Sequence, residues 1–501
     1  DLRRRYNFSD SFTELSIDQT PFFRLVSQIG KSPTDDPQFK YSEKRQSWFR
    51  RYAYVVGYKE GSNVVVDDAT LQDTSGADIA TTSVGGTFDL YMGTDYANNG
   101  NMFNVIGQTG KKVGASGTKP QFFLKKQIIK VNLSDTAGGG GGADIDDYAL
   151  FQVSAVNTSP ETVDLSAQGG ASDADVVKLT CKCVKAPSSD DYKELASFDT
   201  NAALVGASLV PTDSGHGNST TIAGTLEPRR SYVTGTSYEE GSTLIQQNWM
   251  DQPYSTGYGY TQIFRNEFGM TNTMRATALK YEPNEWMRVW RDKLIEHKWE
   301  IEQTALFGSQ GTYTGADGGT YQVTQGAADY VANNGNIFVL DTATKHTDDF
   351  LEDLSMLVDP RYNNSKDMVF FCDTATYNWM HKLGGYFSNN LGINQNSFRY
   401  DFAAKGGGKM FGVDFTTIST IYGDIRVVRN IHLDGSNIKI MGVNMRYVKW
   451  RPLVGNGINR DTSVYVGVQT LENTGTDKRV DMILTEGGFE WSMPECHALW
   501  K

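Results

Sequence analysis

The chain is poor in cysteine and proline, has no long apolar run, and carries no excess of positive charge. Four cysteines in 501 residues are too few to staple a fold of this size. Cys181 and Cys183 alternate in a strand-like run, Val176 to Val184, so both face one side. One intervening residue is poor spacing for a metal pair, which prefers roughly two to four. Reduced thiols and assembly inside a cell are therefore expected. No stretch approaches the roughly 18 apolar residues of a membrane span, and no signal peptide is visible. Lys and Arg number 47 against 59 Asp and Glu, a net charge of −12. A surface that grips nucleic acid is usually basic. If this protein encloses DNA, it does so as a container, with only weak non-specific contact.

Catalytic signatures are also missing. There is no Gly-x-Ser-x-Gly elbow, no phosphate-binding Walker loop and no His-Glu-x-x-His. Of the six histidines (His216, His297, His346, His381, His432 and His497), none forms a metal-like pair. His297 is expected to be packed or partly exposed, and Glu296, Glu300 and Glu302 to form a solvated helix face. Asp144, Asp146 and Asp147 follow a glycine run but lack the remaining ligands of a calcium loop. No catalytic residue, cofactor site or metal site is nominated.

What is present is glycine, at 51 residues, with 25 Tyr and 25 Phe. These point to many strands joined by turns. The length calls for two or three domains. Residues 1–35, with Arg3, Arg4 and Arg5 at the start, Pro21 and Pro33 along them and Pro37 just beyond, read as an extended arm and not as a helix. The first residue is Asp, so removal of an N-terminal segment during maturation is expected. Residues 39–58 alternate aromatic and charged side chains, as strands do. Residues 59–231 read as a separate β-rich domain of short strands and Gly/Asn/Ser turns, inserted into a module that resumes near Tyr238.

The clearest helix runs from Pro283 to Phe307, about 37 Å long. Trp286, Val289, Trp290, Leu294, His297, Ile301 and Ala305 share one face, and Gly308 stops it. Shorter helices are expected over Thr347–Val358 and from Asp373, an N-cap. The last 90 or so residues are strand-rich, with Asp434-Gly435 as a hairpin signal.

In this order, the parts resemble the major capsid proteins of tailed phages with the Hong Kong-97-like fold, which encapsulins share. The resemblance rests on Thr20-Pro21-Phe22 in the arm, on Gly259-Tyr-Thr-Gln-Ile-Phe-Arg265 before the helix, and on Glu300-Ile-Glu-Gln-Thr-Ala-Leu-Phe-Gly308 at its end. It rests also on Phe411-Gly-Val413 and on Val468-Gln-Thr-Leu-Glu472. It covers residues 1–58 and 232–501.

The resemblance implies an α+β fold with arm 1–35, E-loop strands 36–58 and 232–270, and insertion domain 59–231. A peripheral domain would span 271–340 and 440–501 around the spine helix 283–307, and an axial domain 341–439. It implies a non-enzymatic subunit that builds hexamers and pentamers into an icosahedral, DNA-filled head, in the virion and assembled in the bacterial cytoplasm. Its partners would be many copies of itself, neighbouring capsomers, a portal and decoration proteins. Phe8, Phe12, Phe22, Phe23, Trp48, Phe49, Tyr52, Tyr260 and Phe264 are the candidate inter-subunit anchors. An encapsulin shell is the alternative, against which the large insertion counts. A carbohydrate-active β-rich protein is another, although no catalytic carboxylate pair is identifiable.

Overall fold

The computed structural model describes residues 19–44, 52–60, 63–66, 70–94, 113–114, 116–135, 147–166, 172–195, 229–245, 248–249, 254–278, 284–342, 347–358, 363, 368–380, 403–410, 413–420 and 422–501. Strands and helices are both present, an α+β chain, and it divides into two compact units. The first comprises residues 1–42, 256–334 and 354–501; the second comprises 43–255 and 335–353. The second unit thus begins and ends outside the block 59–231 expected from composition.

In the first unit the arm contains a helix, Pro21–Ile29, where an extended segment was expected. Pro21 occupies the first turn, where its missing N–H costs nothing, and the other two prolines fall beyond Gly30. Phe22, Leu25 and Val26 form its buried stripe. Beyond Gly30 the chain runs parallel to 448–453. The Trp450 N–H donates to the Gly30 carbonyl at 2.8 Å, and the Ser32 N–H to the Trp450 carbonyl at 2.9 Å. A side chain on Gly30 would strike the Val448 carbonyl, so glycine permits this approach.

Two larger sheets lie in this unit. In the first, Lys478–Trp491 is the spine: Gln262–Thr271 flanks one side, Val448–Pro452 and Ser463–Gln469 the other, all antiparallel. In the second, Met368–Cys372 lies between Ile440–Asn444 and Gly423–Arg429, parallel to the latter. Val413–Thr420, Ala403–Met410 and Ala498–Trp500 extend it. Every residue of Met368–Cys372 and Ile440–Asn444 is buried, as expected of central strands covered on both faces.

This sheet corrects the hairpin expected at Asp434-Gly435. The two runs do not pair with each other, because Met368–Cys372 lies between them. The turn is a short 3-10 helix, Ile431–Leu433, and Gly435 adopts φ +81°. The same sheet crosses the expected boundary between residues 439 and 440. The E-loop strands expected over 36–58 and 232–270 resolve into several partnerships. Gln38–Glu43 pairs with Ser255–Tyr260, Tyr52–Tyr54 pairs with Arg230–Tyr232, and Gln262–Thr271 pairs with the long strand near the C-terminus.

The long helix spans Glu285–Phe307, about 34 Å. Asn284 caps it, its side chain accepting from the Met287 N–H at 3.3 Å; Pro283 lies outside the described residues. Its apolar face is covered only along the second half, where His297, Ile301, Glu302, Ala305 and Leu306 are buried. Trp286, Val289, Trp290 and Leu294, expected to face inward, remain half-buried.

In the second unit six antiparallel strands close into a barrel. The ring runs Tyr52–Glu60, Thr87–Gly93, Val177–Lys185, Asp147–Asn157, Gln127–Asp135 and Arg230–Thr236, and returns to the first strand. Closure removes the sheet edges that would otherwise invite aggregation. Alternate side chains (Phe88, Leu90 and Met92; Ile129, Val131 and Leu133; Leu179, Cys181 and Cys183) form one core.

Candidate assembly surfaces and the arm anchor

The arm helix lacks a side-chain cap of its own, because Thr20 makes no such bond. Glu302, on the long helix, supplies the cap. Its Oε1 accepts from the Phe22 N–H at 3.0 Å, its Oε2 from the Phe23 N–H at 2.7 Å, and the Asn430 side-chain amide donates to Oε1 at 3.0 Å. Two of the N–H groups that every helix start leaves open are thereby satisfied across 280 residues of sequence. The carboxyl is fully buried with no cation in contact among these partners. Burial pushes its pKa up to about 7, against the pull of its three donors. This corrects the expectation that Glu302 belongs to a solvated face. Glu296 and Glu300 are exposed as expected.

His432 holds the residue before the arm helix. Its Nε2 lies 2.9 Å from the Gln19 carbonyl and its Nδ1 lies 2.6 Å from the Gln303 amide; Trp299 packs edge-on at 4.5 Å. Phe22 completes the anchor. It meets Phe371 edge-on at 5.2 Å and stacks on Trp491 at 5.9 Å, with no exposed area. Phe23 meets Trp450 edge-on at 5.2 Å. Aromatic contacts of this kind add roughly 0.5–1.5 kcal/mol each beyond their area burial.

His297 ties the long helix to the first sheet. Its Nδ1 contacts Asn266 Oδ1, and its Nε2 lies 2.7 Å from Thr485 Oγ1. A neutral ring donates at one nitrogen and accepts at the other, which these partners suit. Burial lowers its pKa to about 4. His497, also buried, is lowered to about 4 for the same reason. Asp147 ties a loop: its Oδ2 accepts from the Ser188 N–H at 2.5 Å and from the Ser188 hydroxyl at 2.8 Å. Asp144, Asp146, His216, His346 and His381 lie outside the described residues. Among the described residues no group of three or more metal-ligating side chains comes together.

The anchors nominated from sequence divide into three sets. Phe8, Phe12, Trp48 and Phe49 lie outside the described residues. Phe22 and Phe264 are buried in the core of the first unit, so their rings are already covered within their own chain and offer no area to a neighbour. Tyr260, Phe23 and Tyr52 are part-buried; the Arg230 guanidinium lies 4.5 Å from the Tyr52 ring.

Composition alone did not single out two exposed apolar surfaces of the first unit. In the strand Ser463–Gln469, Val464, Tyr465, Val466 and Val468 all remain exposed, Val466 at 65%. The strand pairs on one side only among the described residues, and a bulge with Gly467 at φ +69° interrupts that pairing. The hairpin Gly311–Thr314 with Thr320–Val323 presents Tyr313 and Tyr321, 66% and 58% exposed, with ring centres 6.1 Å apart. It is tied to the strands Ser255–Tyr260 and Gln262–Thr271: the Gln310 amide donates to the Tyr258 carbonyl and the Thr324 N–H to Gln262 Oε1. Exposed apolar side chains gathered on such a strand are the kind of surface that proteins use for association. The signal was in the sequence as Val-Tyr-Val-Gly-Val, but which faces stay open is decided by the sheet.

A family model described as SU10 major capsid protein matches residues 3–501. A major capsid protein of Pseudomonas phage PaMx41 is 30% identical over 164 residues, which cover 31% of this chain and 38% of that protein. Among solved structures, one from Microbacterium phage Oxtober96 has a TM-score of 0.34 at 12% identity, covering 53% of this chain and 80% of that one. The capsid structure of cyanophage P-SCSP1u gives 0.34 at 11%, covering 53% and 80%. An encapsulin complex from Synechococcus elongatus gives 0.33 at 10%, covering 50% and 77%. Scores and identities this low transfer no property from those structures.

Proposed function

The chain belongs to the SU10 major capsid protein family, a structural role in a phage shell built from copies of itself, and from that premise we propose how its parts serve assembly. The arm, residues 1–35, extends toward a neighbour from a base fixed by Glu302 and His432. The long helix is the spine of a peripheral region. The barrel unit is a guest domain carried on the E-loop strands. The subunits form hexamers and pentamers of an icosahedral head that encloses double-stranded DNA, with no catalytic step. A portal and decoration proteins complete the particle, which assembles in the host cytoplasm. The −12 charge supports a wall that contacts DNA weakly.

The family match over almost the whole chain carries this reading. The exposed strand Ser463–Gln469 and the tyrosine hairpin support it, because both present several exposed apolar or aromatic side chains close together. Stable obligate interfaces bury more than roughly 2,000 Å², and a shell subunit must provide such area on several sides. Of the nominated anchors, Phe8, Phe12, Trp48, Phe49, Tyr52, Tyr260 and Phe23 keep that role.

The test is expression of the chain followed by sedimentation and electron microscopy. Shell-sized particles or ring-shaped capsomers are expected. Val466→Asp is expected to lower the particle fraction while unassembled subunits unfold at the wild-type temperature. A wild-type chain that stays monomeric at all concentrations refutes the reading.

A further inference from the structure

We infer that the outer face of three barrel strands, Gln127–Asp135, Asp147–Asn157 and Val177–Lys185, docks an acidic segment of a second protein, one in which carboxylates alternate with apolar side chains. Alternate side chains of these strands fill the barrel core, so the others point outward. The register sets Lys130, Leu150 and Lys185 side by side across the three strands, with Tyr232 beside Lys130 on the next. The row therefore alternates apolar and cationic members at about 4.8 Å per strand. Ile128, Gln152 and Lys182 form the adjoining row. Tyr148 gathers the first two cations. The Lys130 ammonium lies 4.2 Å from its ring centre and the Lys185 ammonium 4.0 Å, and Lys185 donates to the phenol oxygen at 2.8 Å. Two like charges held against one ring repel each other until an anion joins them. Within residues 127–133, 147–157 and 177–185 the single carboxylate is Asp147. It is buried, and it accepts from the Ser188 N–H and hydroxyl and from the Tyr148 N–H. Other carboxylates reach the face only from its surroundings: Glu239 pairs with Lys126 at 2.9 Å, and Lys178 lies 3.6 Å from Asp89 and 3.7 Å from Glu161.

Charge complementarity calls for an anionic occupant, and the apolar members select its kind. Ile128 and Leu150 are half-buried and Val184 is 49% exposed. A nucleic-acid backbone would leave these aliphatic side chains in water, and the Tyr148 ring already carries two ammonium groups where a base would stack. An acidic polysaccharide brings carboxylates but no apolar side chains. A peptide with both covers both kinds of residue. The described strands of this chain do not offer such a segment. Only Lys478–Trp491 among them holds more than one carboxylate, and its Asp481, Glu486 and Glu490 are buried against Arg479, Arg460 and Arg451. The occupant is therefore assigned to a different protein.

The test uses unassembled full-length subunits and a random copolymer of glutamate and tyrosine, with acetylation of each lysine read by mass spectrometry. The copolymer is expected to protect Lys130, Lys182 and Lys185, and to bind about tenfold more tightly than polyglutamate of equal charge. Lys130→Glu with Lys185→Glu is expected to weaken that binding about tenfold or more with an unchanged melting temperature. Should that variant fail to fold, Lys130→Gln with Lys185→Gln is read in its place, with a smaller loss in the same direction. Leu150→Ser is expected to weaken copolymer binding severalfold and to leave polyglutamate binding as it was. Four results overturn the assignment: the three lysines stay unprotected, polyglutamate binds as tightly as the copolymer, duplex DNA or polygalacturonate protects the lysines equally well, or binding survives the charge reversal. A fifth does so as well: protection that appears when the chain alone is concentrated gives the face to a second copy. Particle formation enters none of these readings, so a failed shell reading leaves them intact.

Discussion

Glu302 makes the arm anchor measurable. Its ordinary pKa of 4.5 is pushed up to about 7 by burial. Between those two values the folded chain holds a proton that the unfolded chain has released. Stability from this group is therefore greatest below pH 4.5 and falls as pH rises toward 7. The gap is about 2.5 pH units, and at roughly 1.4 kcal/mol for each it is worth about 3 kcal/mol. Glu302→Gln keeps the volume and one carbonyl acceptor but cannot titrate. Near pH 4.5 it should unfold within about 1 kcal/mol of wild type. By pH 8 the difference between the two should move by about 3 kcal/mol in favour of the variant. The buried histidines are common to both chains and cancel in that difference. The assay is urea unfolding of unassembled subunits at several pH values, followed by fluorescence of Trp450 and Trp491, which are buried in the same unit. A difference that stays flat across the range refutes the assignment. A difference that moves the other way shows that the three donors outweigh burial. Glu302→Ala, which orphans the Phe22 and Phe23 N–H groups and the Asn430 amide, should cost about 3–5 kcal/mol near pH 4.5, and by pH 8 its difference from wild type should shrink by about 3 kcal/mol, because it too lacks the titrating group.

His297 should act with the opposite sign. Its folded pKa of about 4 lies below the ordinary 6.5, so its contribution is complete above pH 6.5 and is lost as pH falls toward 4, by about 3 kcal/mol; acid unfolding of His297→Gln should show a shallower decline than wild type. Phe22→Ala should cost about 3–5 kcal/mol in unfolding free energy, because a ring with no exposed area leaves a cavity against Phe371 and Trp491. Cys181 and Cys183 lie in the barrel core with thiol pKa values raised by burial, Cys183 to about 11; neither should react with a thiol reagent in native protein, and both should react in denaturant. Rapid labelling of both in the native state would show the barrel open.

Much of this chain was legible because the information is local. The spacing of Ile301 and Ala305, and Gly308 after them, marks the long helix and its stop; Asp373 caps its helix by accepting from the Thr376 N–H at 2.7 Å. Cys181 and Cys183 share a face because a strand has period two, and the barrel core receives both. The arm helix was missed because Pro21 was read as a breaker, when position one of a helix tolerates it.

What sequence could not supply are the partnerships between distant segments. Nothing near Glu302 in the chain says that it caps a helix 280 residues away, because a solvated glutamate and a buried one read alike. Nothing around Asp434-Gly435 says that Met368–Cys372 separates the strands on either side. Phe22 and Val466 are both apolar residues beside turns or caps, yet one is fully covered and the other 65% exposed. Sequence alone determined the periodicities, the turn chemistry and the order of parts, since each depends on residues a few positions apart. Burial, pairing and the gathering of Lys130 and Lys185 against Tyr148 were decided only by tertiary structure, because they depend on which surfaces meet.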